Sequence, residues 1–557
     1  MKFSEMKYER ADVLSVCKEY EELTGKLNCA KTAEEVMEVI AKHEKLSSAF
    51  ETMASLAYVR HSINTLDPYY DKENEYYDEN YPVLQEKTNA FMRALLESPF
   101  RPDVEKQMGG LVFKNLEMEL KTFSPEVISD LQAENKLVSE YQKLVASAEI
   151  DFDGKKLNIS QLGVYKTDRN RETRKAAFGA EGDFYMSHAE ELDRIFDDLV
   201  KVRTKIAKKL GFNSFTELAY CRRTRNCYDA KDVKVFRDSV KRDIVPVVCR
   251  IKEEQAKRIG VDRLYLYDEA FFYPEGNPRP LGTPDDILAA GKRMYEEMSD
   301  ETAEFINFMY DNELLDVVAK KGKAVGGYCT SLPDYKAPFI FSNFNGTSGD
   351  VEVLTHEAGH AFADYTVRNF PFRETTQPTM EACETHSMSM EFLAWPWLGL
   401  YYGDKAERAK TAHLADSFVF IPYGCMVDEF QHIVYDDPTL TPAQRHEAWD
   451  ELEKQYRPYL SREGMSFYGA GRGWQRQLHI YHYPFYYIDY CLAQTNALNV
   501  WQLSLRDYKD AWERYMRFVR QGGRMTFVGL CKEAGIPSPF EEGALRDIAK
   551  AAREYIG

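Results

Sequence analysis

The sequence predicts a mainly helical protein with a small β element placed just before its most reactive segment. Three observations carry this. Apolar residues recur at helical spacing over long stretches, strand-like runs are confined to two short segments, and His356, Glu357, Ala358, Gly359 and His360 form the HExxH pattern that works on a helix.

Helical periodicity runs through 12–60, 76–96, 125–147, 285–317 and 385–415. It is clearest at Leu192, Ile195, Phe196, Leu199, Val202, Ile206 and Leu210. That helix is expected to end at Gly211, and Ser214 with Glu217 offers a capping box for the next one. AEIDFDGKKLNISQLG, around Asp153 and Gly154, alternates apolar and polar residues across a turn and reads as a hairpin. A boundary is placed just after it, giving an N-terminal helical domain over 1–165 and a catalytic domain over 166–557. In GGYCTSLPDYKAPFIFSNFNGTSGDVEVLTHEAGHAF, Phe339, Ile340, Phe341 and Phe344 indicate a strand pair that leads into the HExxH helix. Two uses are open to it: pairing of an extended peptide with a free strand edge, or bracing of the helix alone.

Composition narrows the class of function. With 557 residues, 44% hydrophobic and 29% charged, the chain is long enough for a large core and is neither disordered nor fibrous. A net charge of -18 without a dense lysine or arginine run argues against a nucleic-acid partner. The N-terminal MKFSEMKYERADVLSV carries charges where a signal peptide needs an apolar core, and no stretch approaches the roughly 20 apolar residues of a membrane span. A cytoplasmic protein without a membrane partner is expected. Ten cysteines, spread singly with no CxxC pair, fit reduced thiols.

The chemistry starts at HExxH. Histidines four apart on a helix lie about 40° from each other, so two imidazole nitrogens reach one metal. Glu357 projects beside them and can take a proton from a water without occupying the coordination sphere. Two histidines and a glutamate also share helices by chance, so the surroundings must decide. A catalytic zinc usually has three protein ligands and an open position. The metzincin option needs a histidine six residues after His360, and that position is Thr366. PTMEACETHSMSMEFLAWPW instead places Glu381, Glu384, His386 and Glu391 on a second helix rich in Met, Phe and Trp. Buried carboxylates there need a cation or hydrogen bonds. Glu384 is the expected third ligand, with Glu381 and Glu391 on the same helix available to support it.

HEAGH followed by ETHSMSME, with a glutamate 28 positions after the first histidine, resembles the thimet oligopeptidase family of zinc peptidases, most closely its oligoendopeptidase F and Pz-peptidase branch. The resemblance runs from about residue 200 to the C-terminus and includes KAPFIFSNFNGTSGDVEVLTHEAGHAF and HIYHYPFYYIDY; the N-terminal part is similar with less distinctive motifs. It implies one Zn2+ held by His356, His360 and Glu384, with Glu357 as general base. It also implies a two-lobed helical body whose deep central channel, beside the small sheet and the HExxH helix, admits short flexible peptides. In the late segment it implies that His479, Tyr486, Tyr487 and Tyr490 hold substrate and the tetrahedral intermediate. The tyrosine spacing departs slightly from that of the thimet branch, and His482 is a second candidate. Read without the resemblance, phenols and imidazoles suit an oxyanion, while an aromatic helix packed into a core is the alternative.

The expected function is zinc-dependent hydrolysis of internal bonds in short unstructured peptides. Its nearest rival is a zinc carboxypeptidase on a similar scaffold, which needs a cation such as Arg472 or Arg476 to grip a C-terminal carboxylate. A noncatalytic peptide-binding protein with a structural zinc is disfavoured by Glu357 beside a three-ligand site, since structural zinc normally has four protein ligands.

Overall fold

The computed structural model describes residues 1–556, of which the great majority are helical. Two strands, β1 (Ile150–Phe152) and β2 (Lys155–Leu157), form the expected antiparallel hairpin, with Asp153 and Gly154 both at positive φ in the turn. Three others, β3 (Leu315–Val318), β4 (Tyr328–Leu332) and β5 (Ala337–Phe344), form a sheet in the order β3-β5-β4. The chain folds into two compact units that are discontinuous in sequence. The first comprises 1–120, 279–406 and 497–536, and the second 121–278, 407–496 and 537–557. A boundary near 165 falls inside the second unit, just after the β1–β2 hairpin.

In the first unit three N-terminal helices, Val13–Cys29, Ala33–Ile63 and Pro68–Glu97, start at Asp12, Thr32 and Asp67, whose side chains accept backbone N–H groups left without intrahelical partners. Tyr20, Val36, Phe50 and Phe91 lie in the core between them, each such side chain contributing about 1.5–3 kcal/mol by leaving water. The sheet corrects one reading: helical spacing through 317 gives way to β3, which runs parallel to β5 and pairs Leu315 with Ile340. Helix Asp300–Asp311 stops before it, at Asn312 and Glu313, the latter with φ +55.

Strand β5 is central, paired antiparallel with β4 on its other side, and every residue of it except Asn343 is buried. This accounts for its continuous apolar run instead of an alternating one. It also means that the strand entering the motif helix has no free edge; the open edges belong to β3 and β4. At the end of β5 the Asp350 carboxylate accepts N–H groups of Asn345, Gly346 and Thr347 (2.9, 2.6 and 3.3 Å) and turns the chain into the motif helix Ser348–Val367.

In the second unit the amphipathic helix Ala189–Lys209 buries Leu192, Ile195, Phe196, Leu199 and Ile206. Leu210 closes it, Gly211 follows at φ +84, and Ser214 accepts from the Glu217 N–H at 3.3 Å to cap the next helix. Glu217 reaches back to the N–H of Asn213. Arg203, fully buried on the long helix, is neutralised by Glu134 (2.7 Å) and bonded by the Tyr435 hydroxyl (2.9 Å).

Candidate active site

Two helices of the first unit build a candidate metal corner. His356 and His360 project from the motif helix, and Glu384 comes from the helix Met380–Leu393. Glu384 Oε2 lies 3.4 Å from His356 Nε2 and 3.6 Å from His360 Nε2. Those are the separations of atoms that share one ion through bonds of about 2.0–2.2 Å. Such close approach needs a gap in the motif helix, and Gly359 provides it. A Cβ there would meet Ser387 Cα at 2.7 Å, the His386 carbonyl oxygen at 3.0 Å and Met390 Cβ at 3.1 Å.

The remaining polar groups of the helix pair are disposed around these three. Glu391 Oε1 accepts from His356 Nδ1 at 2.7 Å, which fixes the ring and leaves Nε2 for an ion. Glu381 instead accepts from Thr379 at the start of its helix (2.8 Å). His386 is buried against Phe518 and stands outside the donor group. Burial pushes its pKa down to about 3, so it is neutral. Two imidazole nitrogens and one carboxylate oxygen within 4.8 Å form a donor set that fits zinc and leaves a position open.

The electrostatics agree with a cation site. Burial disfavours the charge of Glu384, yet hydrogen bonds and charge from His356 and His360 hold it far below the usual carboxylate range. Burial likewise disfavours a charged His356, and Glu384 with Glu391 overcomes it, so this imidazole holds its proton well above the ordinary range. A proton and a divalent ion compete for that electron pair. Glu357 is raised by burial, against the opposing charges of His356 and His360, and the backbone of Cys329 in β4 steadies its carboxylate. The edge strand thus reaches the candidate base. His43, Glu44 and Glu374 form another possible donor group in this unit. There His43 is bonded to the Tyr20 hydroxyl (3.1 Å) and to Glu374 (3.2 Å), and burial with Glu374 beside it raises Glu44, so the carboxyl pair retains a proton.

The late aromatic segment lies in the second unit and is not one helix. A short helix Leu478–His482 ends at a turn in which Phe485 has φ +62, and a second helix starts at Tyr487. The turn folds four predicted residues together. The His479 ring centroid lies 4.8 Å from that of Tyr487 and 6.0 Å from those of Tyr486 and Tyr490, with Tyr486 and Tyr490 4.8 Å apart. His482 instead stacks on Tyr483 at 3.8 Å and bonds Gln142 at 3.2 Å.

Gln477, which sequence reasoning passed over, sets the state of His479. The Tyr423 hydroxyl donates to Gln477 Oε1 (2.7 Å), which leaves the Gln477 amide nitrogen to donate to His479 Nδ1 (2.8 Å). Nδ1 is then an acceptor and Nε2 carries the hydrogen. Burial, with help from the charges of Arg223 and His482, lowers His479 to about 4, so the ring is a neutral donor near pH 7. Arg472 is tied to Asp193 at 3.0 Å, while Arg476 reaches no carboxylate among the described residues.

A helix-borne HExxH pair, completed by a glutamate from the next helix and flanked by a half-buried carboxylate, defines the class of HExxH metallopeptidases. A model described as the Peptidase M3 N-terminal domain matches residues 3–123, and one described as Peptidase family M3 matches 291–550. The solved structure "PZ peptidase A with inhibitor 2" superposes with a TM-score of 0.92 at 47% identity, covering 100% of this chain and 99% of that one. Oligopeptidase PepF of Bacillus subtilis (strain 168) is 23% identical over 93% of this chain and 80% of its own length. The oligoendopeptidase F homolog of Borreliella burgdorferi is 24% identical over 72% and 70%. The chain belongs to peptidase family M3 and is a metalloendopeptidase. Among the described residues no helix is long and apolar enough to cross a membrane.

Proposed function

We propose that this chain hydrolyses internal bonds of short, unstructured oligopeptides with one zinc ion held by His356, His360 and Glu384. The observation that carries the reading is the convergence of both Nε2 atoms on one Glu384 oxygen, with Glu391 on the far nitrogen of His356. The relatives named for oligopeptide cleavage support the substrate class. Bound zinc supplies Lewis acidity that lowers the pKa of water and polarises a carbonyl.

The chain's own residues do the rest. Glu357 takes a proton from the attacking water at its carboxylate and delivers it to the leaving amine nitrogen, and burial makes it a stronger base than an exposed glutamate. His479 Nε2–H and the hydroxyls of Tyr486, Tyr487 and Tyr490 donate to the oxygen that gains charge. Edge strand β4, beside Glu357, aligns the peptide main chain. We assign 1–165 as an N-terminal domain and 166–557 as the catalytic part. We place the protein in the cytoplasm, where its free cysteines stay reduced.

Mass spectrometry of products from one unstructured peptide of about a dozen residues tests the reading. Fragments from internal cuts, lost when zinc is chelated and restored on its return, are expected. Stepwise loss of single residues from the C-terminus would instead support a carboxypeptidase.

A further inference from the structure

The segment Arg222-Arg223-Thr224-Arg225 alternates paired and unpaired charge. Arg222 pairs with Glu134 at 3.2 Å and Arg225 with Asp489 at 2.8 Å. Elsewhere in this unit Arg203, Arg237 and Arg457 likewise end on carboxylates. Arg223 does not. Among the described residues its guanidinium makes no hydrogen bond or ion pair, and lies 5.1 Å from the ring centroid of Tyr486 and 5.6 Å from that of Tyr483. The turn that separates the three arginines is strained. Thr224, a β-branched residue, has φ +52, in the left-handed region that such side chains rarely adopt, so successive arginines reach different partners.

A half-buried guanidinium that feels the charge of Asp489 only at a distance and hydrogen-bonds no anion is held at a cost in solvation, and cation–π contacts offset only part of it. The group is kept where a ligand can complete it. Its planar fork matches a carboxylate through two parallel hydrogen bonds. Every oligopeptide offers one such group whatever its sequence, at its C-terminus. We infer that Arg223 binds the C-terminal carboxylate of the peptide substrate, so that the enzyme selects short peptides by their end. This rests on the reading in which Tyr486 and its neighbours face the substrate. Cuts are then counted from the carboxylate, and a peptide whose end lies inside a folded protein loses the anchor.

Binding tests this without relying on turnover. In zinc-loaded Glu357→Gln protein, calorimetry with an unstructured peptide as free acid and as C-terminal amide should show the acid binding about 10- to 100-fold tighter, the range of a charge-assisted contact. Adding Arg223→Gln should make acid and amide bind alike. Arg223→Lys should keep part of the preference, which guards against a glutamine variant that merely folds poorly. Arg476→Gln, removing another arginine of this unit that pairs with no carboxylate among the described residues, should keep all of it. Equal binding of acid and amide with Arg223 present, a preference that survives Arg223→Gln, or a preference that follows an Asp or Glu side chain instead of the terminus would overturn the inference. Wild-type product mapping reports separately on endopeptidase action: an acid preference in a protein that makes no internal cuts would leave the carboxylate site standing and remove the cleavage reading.

Discussion

The metal corner of the first unit and the aromatic corner of the second are both made from histidines on helices, and they are built for opposite charges. At the metal corner each imidazole faces a carboxylate: Glu384 lies against both His356 and His360, and Glu391 bonds the back of His356. Anionic groups gathered around two imidazoles favour a cation. At the aromatic corner, burial and the Arg223 cation keep His479 neutral, the nitrogen not bonded to Gln477 carries a hydrogen, and tyrosine rings pack around it. Such a set gives hydrogen bonds to an anion. On the proposed reading, the same residue type serves as a ligand or a donor according to whether a carboxylate or an amide holds its other nitrogen.

Mutations that break the two corners should have separable signatures. The largest effect is expected for Glu384→Gln, with cleavage of a quenched peptide down about a thousandfold or more and zinc content lost with it. At the aromatic corner, His479→Gln or Tyr487→Phe should lower kcat by about 10- to 1000-fold while metal analysis still finds a full complement of zinc. Glu391→Gln should weaken zinc binding by about 10- to 100-fold, read by competition with a chelator, because the His356 ring loses its orientation. Gly359→Ala should cost about 1–3 kcal/mol in stability and loosen zinc, since its Cβ would run into the backbone of the facing helix at Ser387 and His386 as well as Met390 Cβ.

Acid should act on both regions. At the metal corner protons displace zinc from His356, so zinc affinity falls as pH falls. In the second unit burial lowers His432 to about 4 from an ordinary 6.5, so between these values the unfolded chain binds the proton and the folded one does not. Its contribution is therefore present above about pH 6.5 and lost as the pH falls toward 4, by about 3 kcal/mol at most. Urea unfolding of metal-free protein at pH 7 and 4.5 measures this, and His432→Gln should flatten the slope.

How much of this was legible in the sequence depended on distance along the chain. HEAGH and the periodicity of Ala189–Lys209 are local patterns, and helix geometry suffices to read them. Glu384 was within reach because its helix is apolar enough to be recognised as buried. Strand β3 was not, because Leu315–Val318 takes its form from parallel pairing with a strand some 25 residues later, a partner that periodicity does not reveal. The role of Gly359 was hidden for the same reason: a glycine inside a motif reads as filler until Ser387 is found against it. Phe485 at positive φ broke what looked like one aromatic helix, and only that turn brings His479 to Tyr487. Gln477 gave no sequence signal beyond standing two residues before a histidine.

The central claim is a division of labour between two glutamates, one that holds the metal and one that moves the proton. Zinc content and peptide turnover measured together on Glu357→Gln and Glu384→Gln test it most directly. The account predicts that Glu357→Gln keeps zinc and loses cleavage, while Glu384→Gln loses both. Near-normal turnover in Glu357→Gln, or full zinc occupancy in Glu384→Gln, would contradict it.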